Sequence, residues 1–260
     1  MKPQNSLIVI PARGGSVGIR NKNLQFVQGL TLIQRTFHHA RFLSDEKMPI
    51  CVSTDSAEIL NSLSDKFNLN IDTTSLSVNS LTKCGPVFVH FRGEEKAASS
   101  TLITENLFDL LHLFKAQGFS IEGVALMQPT SPYRNRVELN QIREFIVGVA
   151  NENSSFVSVT KVEDCHPARM YKLTQGNRVK PIKGFKNDYH KRRQDLVPIY
   201  IRDGGIYVIG AKLIQNQLQY LKNPTVYLRH LPWSINIDSE IDLLHAQNVA
   251  PEQIVQDPAN

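Results

Sequence analysis

The sequence predicts an α/β fold, in which buried parallel strands alternate with amphipathic helices. Residues 7–10 (LIVI) form a continuous apolar run that Pro11 ends, a pattern typical of a strand covered on both faces of a sheet. Residues 30–43 then repeat apolar side chains at helical spacing, and residues 49–53 form a second apolar run. Because strand, helix and strand follow one another directly, we expect the first strand to be central in a mostly parallel sheet.

The rest of the chain continues this alternation, with one exception. Residues 54–56 (TDS) are suited to cap a helix over residues 57–67. Residues 68–98 contain glycine and proline without a regular period, which predicts a loop that lines the functional site. The later apolar patterns predict helices at 101–115, 137–147 and 239–249, and strands at 123–127, 154–160, 205–209 and 235–237.

A single domain over residues 1–260 is the expected organisation. A chain of 260 residues, of which 41% are hydrophobic, can bury one large core. Residues 164–198 differ from the rest, because they are polar and basic and contain few apolar runs. Such a segment needs a surface on which to pack, so we predict that it protrudes as a dimerisation and substrate segment of a homodimer.

The net charge of +5 indicates an anionic partner without identifying it. The most basic run, residues 190–193, has no interleaved aromatic residue beyond Tyr189 and is soon followed by Asp195. No motif of a nucleic-acid-binding module accompanies this run. We therefore expect anionic small molecules, and no nucleic acid, as partners.

The N-terminal segment and the cysteines predict a cytoplasmic protein with no membrane partner. The first apolar run is far shorter than the ~7–15 residues of a signal peptide core or the ~20 residues of a membrane span. Cys51, Cys84 and Cys165 are widely spaced and form no CxxC pair, which is typical of reduced thiols and does not indicate a zinc site.

A glycine-rich loop with three cationic side chains, residues 11–23 (PARGGSVGIRNKN), follows the first strand directly. Ligands of open parallel sheets bind beyond the carboxyl ends of the strands, and glycines let backbone N–H groups approach phosphate oxygens closely. Arg13, Arg20 and Lys22 can neutralise a triphosphate and a leaving pyrophosphate. The glycine spacing matches neither the P-loop nor the dinucleotide fingerprint, so the loop alone is also compatible with an ordinary βα turn.

Six motifs, in the same order, resemble those of the acylneuraminate cytidylyltransferase family. The glycine-rich loop has the form IPARGGSxGIxxKN that is typical of this family. The resemblance extends from about residue 7 to residue 249, which is nearly the whole chain. The other five motifs are VSTDS (52–56), QPTSP (128–132), RQDL (193–196), DGGIY (203–207) and DSEID (238–242).

This resemblance implies a Rossmann-like three-layer nucleotidyltransferase that couples an acidic nine-carbon sugar to CMP from CTP and releases pyrophosphate. It also implies Mg²⁺ as cofactor and a homodimer whose protruding segment reaches across to the partner's site. Arg13, Lys22 and Asp238 would be catalytic, with Asp238 as the metal ligand. The implied nucleotide-binding residues are Ala12, Arg13, Gly14, Gly15, Ser16, Lys22, Asn23 and Arg92, and the implied substrate-binding residues are Gln128, Thr130, Ser131, Arg193 and Gln194.

A few positions depart from the family pattern. Val17 stands where the family usually has a lysine, and Asn236 stands where it usually has an aspartate. Because Mg²⁺ prefers charged oxygen ligands, an amide at position 236 should weaken the metal site. Two alternatives therefore stay open: a catalytically weakened member that binds nucleotide or sugar, and a nucleotidyltransferase for another acidic sugar such as 3-deoxy-manno-octulosonate.

Overall fold

The computed structural model describes residues 5–15, 18–97, 102–152, 154–182, 184, 188, 190–216, 221 and 224–260. The strands in this part are β1 (Ser6–Pro11), β2 (Phe26–Val27), β3 (Leu30–Thr31), β4 (Ile50–Thr54), β5 (Ser80–Cys84), β6 (Val87–Phe91), β7 (Gly123–Leu126), β8 (Ser155–Lys161), β9 (Tyr171–Leu173), β10 (Val179–Pro181), β11 (Tyr200–Gly210) and β12 (Thr225–Arg229). The α-helices are α1 (Leu32–Ser44), α2 (Ala57–Phe67), α3 (Glu94–Ala97), α4 (Ile103–Ala116), α5 (Arg136–Glu152), α6 (Ala211–Gln215) and α7 (Glu240–Gln247).

The main sheet has eight strands in the order β12-β8-β11-β7-β1-β4-β6-β5. β1 lies in the centre and pairs in parallel with β4 and β7, as the apolar run at 7–10 predicted. β6 continues the parallel order beyond β4, whereas β5 and β11 run antiparallel to their neighbours. The mostly parallel sheet predicted from the sequence is confirmed.

Helices cover both faces of this sheet, because successive residues of a strand point to opposite sides. Ile8 and Ile10 of β1 belong to a core shared with α1, α2 and α5. Leu7 and Val9 belong to a second core, shared with α4 and α6. The result is the predicted three-layer arrangement of helix, sheet and helix. Among the described helices, none combines the length and the apolar character needed to cross a bilayer.

The prediction of an irregular loop at 68–98 is wrong for the second half of this range. Residues 80–91 form the hairpin of β5 and β6, and β6 is an inner strand of the sheet. Gly85 sits in the hairpin turn with a φ of +59°, a conformation that glycine adopts without strain. The glycine and proline at 85–86 therefore mark a turn between two strands, and the apolar run VFVHF after them is the strand that the sequence analysis missed.

Three smaller differences concern a predicted strand that does not form, a strand that was not predicted and one helix boundary. The strand predicted at 235–237 is an irregular segment, joined to the loop after β7 by a bond from the Ile237 N–H to the Thr130 carbonyl (2.8 Å). β12 was not predicted and pairs in parallel with β8 at the edge of the sheet. The helix predicted from residue 30 begins at Leu32, after the short strand β3.

Candidate active site

The carboxyl ends of β1, β4 and β6 meet at one edge of the sheet. Arg13 follows β1, Asp55 follows β4 and Arg92 follows β6. Backbone bonds hold these ends together beyond the strands, since the Ala12 N–H donates to Ser53 (2.9 Å) and the Arg92 N–H donates to the carbonyl that ends β4 (2.7 Å). The sheet topology therefore brings the predicted nucleotide-binding residues Arg13 and Arg92 to the same edge.

The glycine-rich loop is fixed by a carboxylate that the sequence analysis did not assign to the site. The Gly14 N–H donates to Asp55 Oδ1 at 2.8 Å, and a Cβ on Gly14 would lie 2.9 Å from the Cβ of Ser56. Only glycine therefore allows this close approach of the loop to the start of α2. On the other side, the Asn23 side chain donates from Nδ2 to the Arg13 carbonyl (2.9 Å). Both contacts shape the loop from within the protein.

The two arginines of this edge keep hydrogen-bonding capacity unused. The Arg13 guanidinium has no hydrogen bond or ion pair to another described residue, and Arg13 lines a small cleft with Gly14 and Asn23. Arg92 is 6% exposed, and its Nε is buried without a hydrogen-bond partner among the described residues. Burial lowers the pKa of Arg92, Asp55 offsets this effect, and the positive charge of Arg13 adds to it. Two nearby cations with free donors are suited to bind a polyanion.

A third cation, Lys22, reaches the site from the end of the glycine-rich loop. Lys22 Nζ donates to the Ile237 carbonyl (2.9 Å) and to Asp238 Oδ1 (3.2 Å). The Asn236 side chain donates from Nδ2 to Asp238 Oδ2 at 2.7 Å. This distance fixes the amide orientation, because its oxygen would be repelled there by the carboxylate. Lys22 and Asp238, predicted from separate motifs, are thus in direct contact, and the Asp238 side chain is still 72% exposed.

Three polar side chains from two segments converge at Gly204, which has a φ of +75°. A Cβ at this position would lie 3.1 Å from Asn236 Oδ1, 3.2 Å from Gln128 Oε1 and 3.4 Å from Ser131 Oγ. Asn236 Oδ1 is buried and has no partner among the described residues. Ser131 is fully buried and donates to a backbone carbonyl of β11 (3.1 Å), so its hydroxyl is already engaged. The free oxygens of Asn236 and Gln128 are suited to accept from a ligand hydroxyl or N–H.

Buried ion pairs hold the strand that carries Gly204. Arg229 contacts Glu138 (Nε to Oε1, 3.0 Å) and Asp203 (Nη1 to Oδ2, 3.2 Å), and these three side chains are at most 2% exposed. A Cβ on Gly205 would lie 1.7 Å from Arg229 Nη1, so no other residue fits there. Asp203 also accepts from the buried Ser158 hydroxyl. The DGG sequence of the motif at 203–207 is therefore explained by packing around a buried arginine.

The structure does not bring all the predicted site residues together. Arg193 forms ion pairs with Glu163 (2.8 Å) and Asp164 (2.8 Å), and with Gln194 it lines a separate cleft of about 350 Å³. No hydrogen bond or ion pair within the described part joins Arg193 to Gln128. Ala12 is buried and Gly15 is exposed in the loop, while Ser16 and Val17 lie outside the described residues.

Comparison with known proteins identifies the class of the fold. The family model described as cytidylyltransferase matches residues 7–83. The fold is similar to that of CMP:2-keto-3-deoxy-manno-octonic acid synthetase, solved in complex with CTP, with a TM-score of 0.55, 15% identity and coverage of 94% of this chain and 99% of that chain. A 4-diphosphocytidyl-2C-methyl-D-erythritol synthase from Anaerococcus prevotii gives a TM-score of 0.54 at 14% identity, covering 94% and 95% of the two chains. The chain therefore has the fold class of these two solved structures.

Sequence relatives narrow the class to a family. The chain is 30% identical over 239 residues to CMP-N,N'-diacetyllegionaminic acid synthase of Legionella pneumophila, covering 91% of this chain and 92% of that protein. It is 25% identical over 246 residues to N-acylneuraminate cytidylyltransferase of Streptococcus agalactiae, covering 94% of this chain and 52% of that longer protein. Pseudaminic acid cytidylyltransferase of Campylobacter jejuni is 25% identical over 248 residues, with 93% and 94% covered. The chain belongs to the acylneuraminate cytidylyltransferase family and is a nucleotidyltransferase enzyme, as the sequence motifs predicted.

Proposed function

We propose that this protein transfers CMP from CTP to the anomeric hydroxyl of an acidic nine-carbon sugar, such as a legionaminic or sialic acid, and releases pyrophosphate. The observation that carries the proposal is the pair of arginines with unused donors at the carboxyl edge of the sheet, Arg13 and Arg92. A triphosphate at this edge would satisfy the buried Nε of Arg92 and the guanidinium of Arg13. The names of the sequence relatives support a nonulosonic acid as acceptor.

The reaction requires the sugar hydroxyl to attack the α-phosphorus in line with the leaving pyrophosphate. Negative charge then grows on the phosphate oxygens and on the leaving group, and fixed cations stabilise that charge most effectively when they are already in place. Arg13 and Lys22 would supply this stabilisation, and Gly14 and Gly15 would let the backbone approach the phosphates. Because the sugar hydroxyl is itself the nucleophile, the reaction needs no covalent enzyme intermediate.

Asp238 fits the role of a magnesium ligand, although as one carboxylate it would share the metal with the nucleotide. Its oxygens are hard ligands, its side chain is 72% exposed, and it lies against Lys22 at the end of the glycine-rich loop. Mg²⁺ in nucleotide sites is commonly held by one or two carboxylates together with substrate phosphates and water. When bound, it would help to neutralise the attacking and leaving oxygens. Asn236 would contribute its hydrogen bond to Asp238 and no charge.

The acceptor sugar is assigned to the region around Gly204. We call residues 128–132 the acceptor loop, because Gln128, Thr130 and Ser131 were all predicted to contact the sugar. Asn236 Oδ1 is buried without a partner among the described residues, and Gln128 Oε1 lies near the same point. A polyhydroxylated, acylamino sugar offers both oxygens hydroxyl and N–H donors. Thr130 would act through its backbone, which holds residue 237 in place.

A homodimer is part of this proposal. Several apolar side chains of the segment 164–198 are exposed, with Leu173 at 74% and Val197 at 66%. Such side chains favour packing against another surface, and a second copy of the chain would also let Arg193 and Gln194 approach the partner's acceptor loop. A monomer by sedimentation at micromolar concentration would contradict the dimer.

We further propose that the enzyme works in the cytoplasm, where CTP is made.

The purified protein with CTP, Mg²⁺ and a panel of nonulosonic acids tests the function directly. We expect pyrophosphate release with at least one nonulosonic acid, and little with ATP, GTP or UTP in place of CTP. Release with 3-deoxy-manno-octulosonate alone would move the assignment to another sugar class. CTP binding by calorimetry without turnover on any acid would indicate a weakened, nucleotide-binding member of the family. This outcome is included because residue 236 is asparagine where the family usually has aspartate.

A further inference from the structure

Four polar side chains form a buried cluster behind the acceptor loop, and the reaction itself does not use them. Arg35, His39, Arg134 and Asp257 are each at most 1% exposed. They come from α1, from the segment after the acceptor loop and from the end of the chain. We call them the Asp257 cluster. Burying four such groups is costly unless their hydrogen bonds are satisfied, so the partners of these bonds indicate what the cluster is for.

The bonds of Arg134 end on the backbone of the site. Its Nη2 donates to the Gln128 carbonyl (2.9 Å), its Nη1 to the Ser131 carbonyl (2.8 Å) and its Nε to the Gly205 carbonyl (2.9 Å). One guanidinium therefore joins both ends of the acceptor loop to the strand that carries Gly204. Three planar donors fix the relative positions of these carbonyls better than a flexible ammonium group would.

The acceptor loop depends on such outside support, because it has few hydrogen bonds of its own. Pro129 and Pro132 lack an N–H, and the backbone bond within the loop runs from the Ser131 N–H to the Gln128 carbonyl (3.2 Å). The Pro132 carbonyl accepts from Arg35 Nε at 3.1 Å. Side chains of the cluster therefore satisfy three carbonyls of this five-residue loop.

Asp257 contacts Arg35 directly and reaches Arg134 through His39. Its Oδ2 accepts from Arg35 Nη2 (2.9 Å), and its Oδ1 accepts from His39 Nε2 (2.6 Å). The other ring nitrogen of His39 faces Arg134 Nη1 at 3.4 Å and so must be an acceptor. His39 is therefore neutral with its proton on Nε2, in agreement with burial, which lowers its pKa to about 4 despite the nearby carboxylate. One carboxylate thus orients Arg35 directly and Arg134 through His39, and both arginines donate to carbonyls of the acceptor loop.

We propose that Asp257 is a positioning residue for the acceptor sugar, acting through Arg35 and through His39 and Arg134 to fix the backbone of residues 128–132. The inference deepens the proposed function and rests on it, since the acceptor loop matters in this way only if it binds the sugar. The nucleotide-binding residues Arg13, Lys22 and Arg92 make no hydrogen bond or ion pair with the cluster in the described part of the chain. Loss of Asp257 should therefore affect the sugar and spare CTP.

The test is the variant Asp257→Asn, which keeps the shape of the side chain. The Asp257 carboxylate accepts from three donors, His39 Nε2, Arg35 Nη2 and the Ala259 N–H, whereas the asparagine amide has one acceptor oxygen and one donor group, so at least one of these bonds is lost. We expect the KM for the sugar to rise about ten- to a hundredfold, as is typical when a supporting contact behind a site is removed. The dissociation constant for CTP, measured by calorimetry without sugar, should equal that of the parent.

Two further variants separate positioning from general destabilisation. Thr36 lies next to Arg35 on α1, and its buried hydroxyl donates to the Leu32 carbonyl. Thr36→Val removes this bond and should lower stability without changing the KM for the sugar. Arg35→Lys keeps the charge beside Asp257 but cannot reach Asp257 and the Pro132 carbonyl with a planar fork. Arg35→Lys should also raise the KM for the sugar without changing the dissociation constant for CTP. It tests the positioning role if Asp257→Asn does not fold.

The outcomes distinguish this inference from the function on which it rests. An active parent whose Asp257→Asn and Arg35→Lys variants keep the parental KM for the sugar, or lose CTP affinity equally, overturns the positioning role alone. A parent that forms no CMP-sugar with any acid overturns the proposed function and this inference with it. A selective rise in the KM for the sugar in both variants, absent from Thr36→Val, supports the inference.

Discussion

The edge of the sheet and the cluster behind the acceptor loop use the same residue types in opposite ways. At the edge, Arg92 is buried with an unpartnered Nε, and Arg13 has no side-chain partner among the described residues. Behind the loop, every guanidinium nitrogen of Arg134 donates to a protein acceptor, and Arg35 contacts the Asp257 carboxylate. Burial lowers the pKa of both Arg92 and Arg134, so desolvation alone does not distinguish them.

The difference lies in which donors are used within the protein. A buried cation with free donors lowers the stability of the free protein and recovers that free energy when an anion binds. A buried cation whose nitrogens all donate within the protein stabilises one backbone conformation and has little donor capacity left for a ligand. The contrast predicts losses of activity at the edge, and losses of stability or of sugar affinity behind the loop.

The largest expected effect is at Asp238. Asp238→Asn should abolish turnover, because no other charged protein oxygen is assigned to the metal and Lys22 would lose its carboxylate partner. Pyrophosphate release in saturating CTP and sugar measures the effect. Glu240→Gln, an exposed carboxylate two residues away, is the matched control and should keep the parental rate. Parental turnover in Asp238→Asn would mean that the metal is bound elsewhere.

Removal of Arg13 should cost somewhat less. Arg13→Ala should lower kcat/KM by about a hundredfold or more, the usual loss when one preorganised donor to developing charge is removed. The melting temperature should stay close to that of the parent, since the Arg13 guanidinium bonds to no other described residue. Arg41→Ala, an exposed arginine on α1, serves as the control. A fully active Arg13→Ala enzyme would exclude the phosphate role.

A smaller effect, of opposite sign, is expected at Asn236. Asn236→Asp adds a charged oxygen beside Asp238 and should lower the Mg²⁺ concentration needed for the half-maximal rate. The same change removes the amide donor to Asp238 and places two carboxylates close together, so without Mg²⁺ the variant should be less stable than the parent. Magnesium titrations of rate and of melting temperature measure both effects. An unmoved magnesium midpoint would show that residue 236 lies away from the metal.

The smallest expected effect concerns pH and the Asp257 cluster. Burial lowers the pKa of His39 from 6.5 to about 4. Between pH 4 and pH 6.5, His39 is therefore protonated in the unfolded chain and neutral in the folded protein. The free energy of unfolding should therefore decrease as the pH falls from 6.5 towards 4. Denaturation of His39→Gln should show a weaker pH dependence than the parent, while Thr36→Val should lose the same stability at each pH. A parental pH dependence in His39→Gln would contradict a neutral, buried His39.

The sequence was informative about the edge for a physical reason. A nucleotide site beyond parallel strands is built from short motifs that directly follow each strand, so the residues stay together in the sequence. The loop at 11–23 follows β1 in this way, whereas the motif at 238–242 follows no strand and was identified by its resemblance to the family. The structure joins the two through Lys22 and Asp238. Asp55 was missed in its role because its motif also fits a helix cap, which Ser56 provides.

The cluster behind the acceptor loop could not be predicted from patterns. Arg35 and His39 lie in a predicted amphipathic helix, and the helical pattern does not indicate any partner for their side chains. Asp257 lies beyond the last predicted element. Their contacts join residues 97 to 222 positions apart in the chain, which only the packed fold brings together. Similarly, β6 was hidden because a hairpin turn and a loop contain the same glycine and proline residues. Long-range contacts and turn geometry account for most of what the sequence analysis missed.

The most direct test of the central contrast is a calorimetric titration of CTP into the parent and into Arg92→Met. Methionine keeps much of the apolar stem and removes the guanidinium whose buried Nε lacks a partner. We predict that CTP binds about tenfold or more weakly, since a charge-assisted hydrogen bond is lost, while the melting temperature is equal or higher. Unchanged CTP affinity together with a lower melting temperature would contradict the account, because Arg92 would then be a structural residue like Arg134.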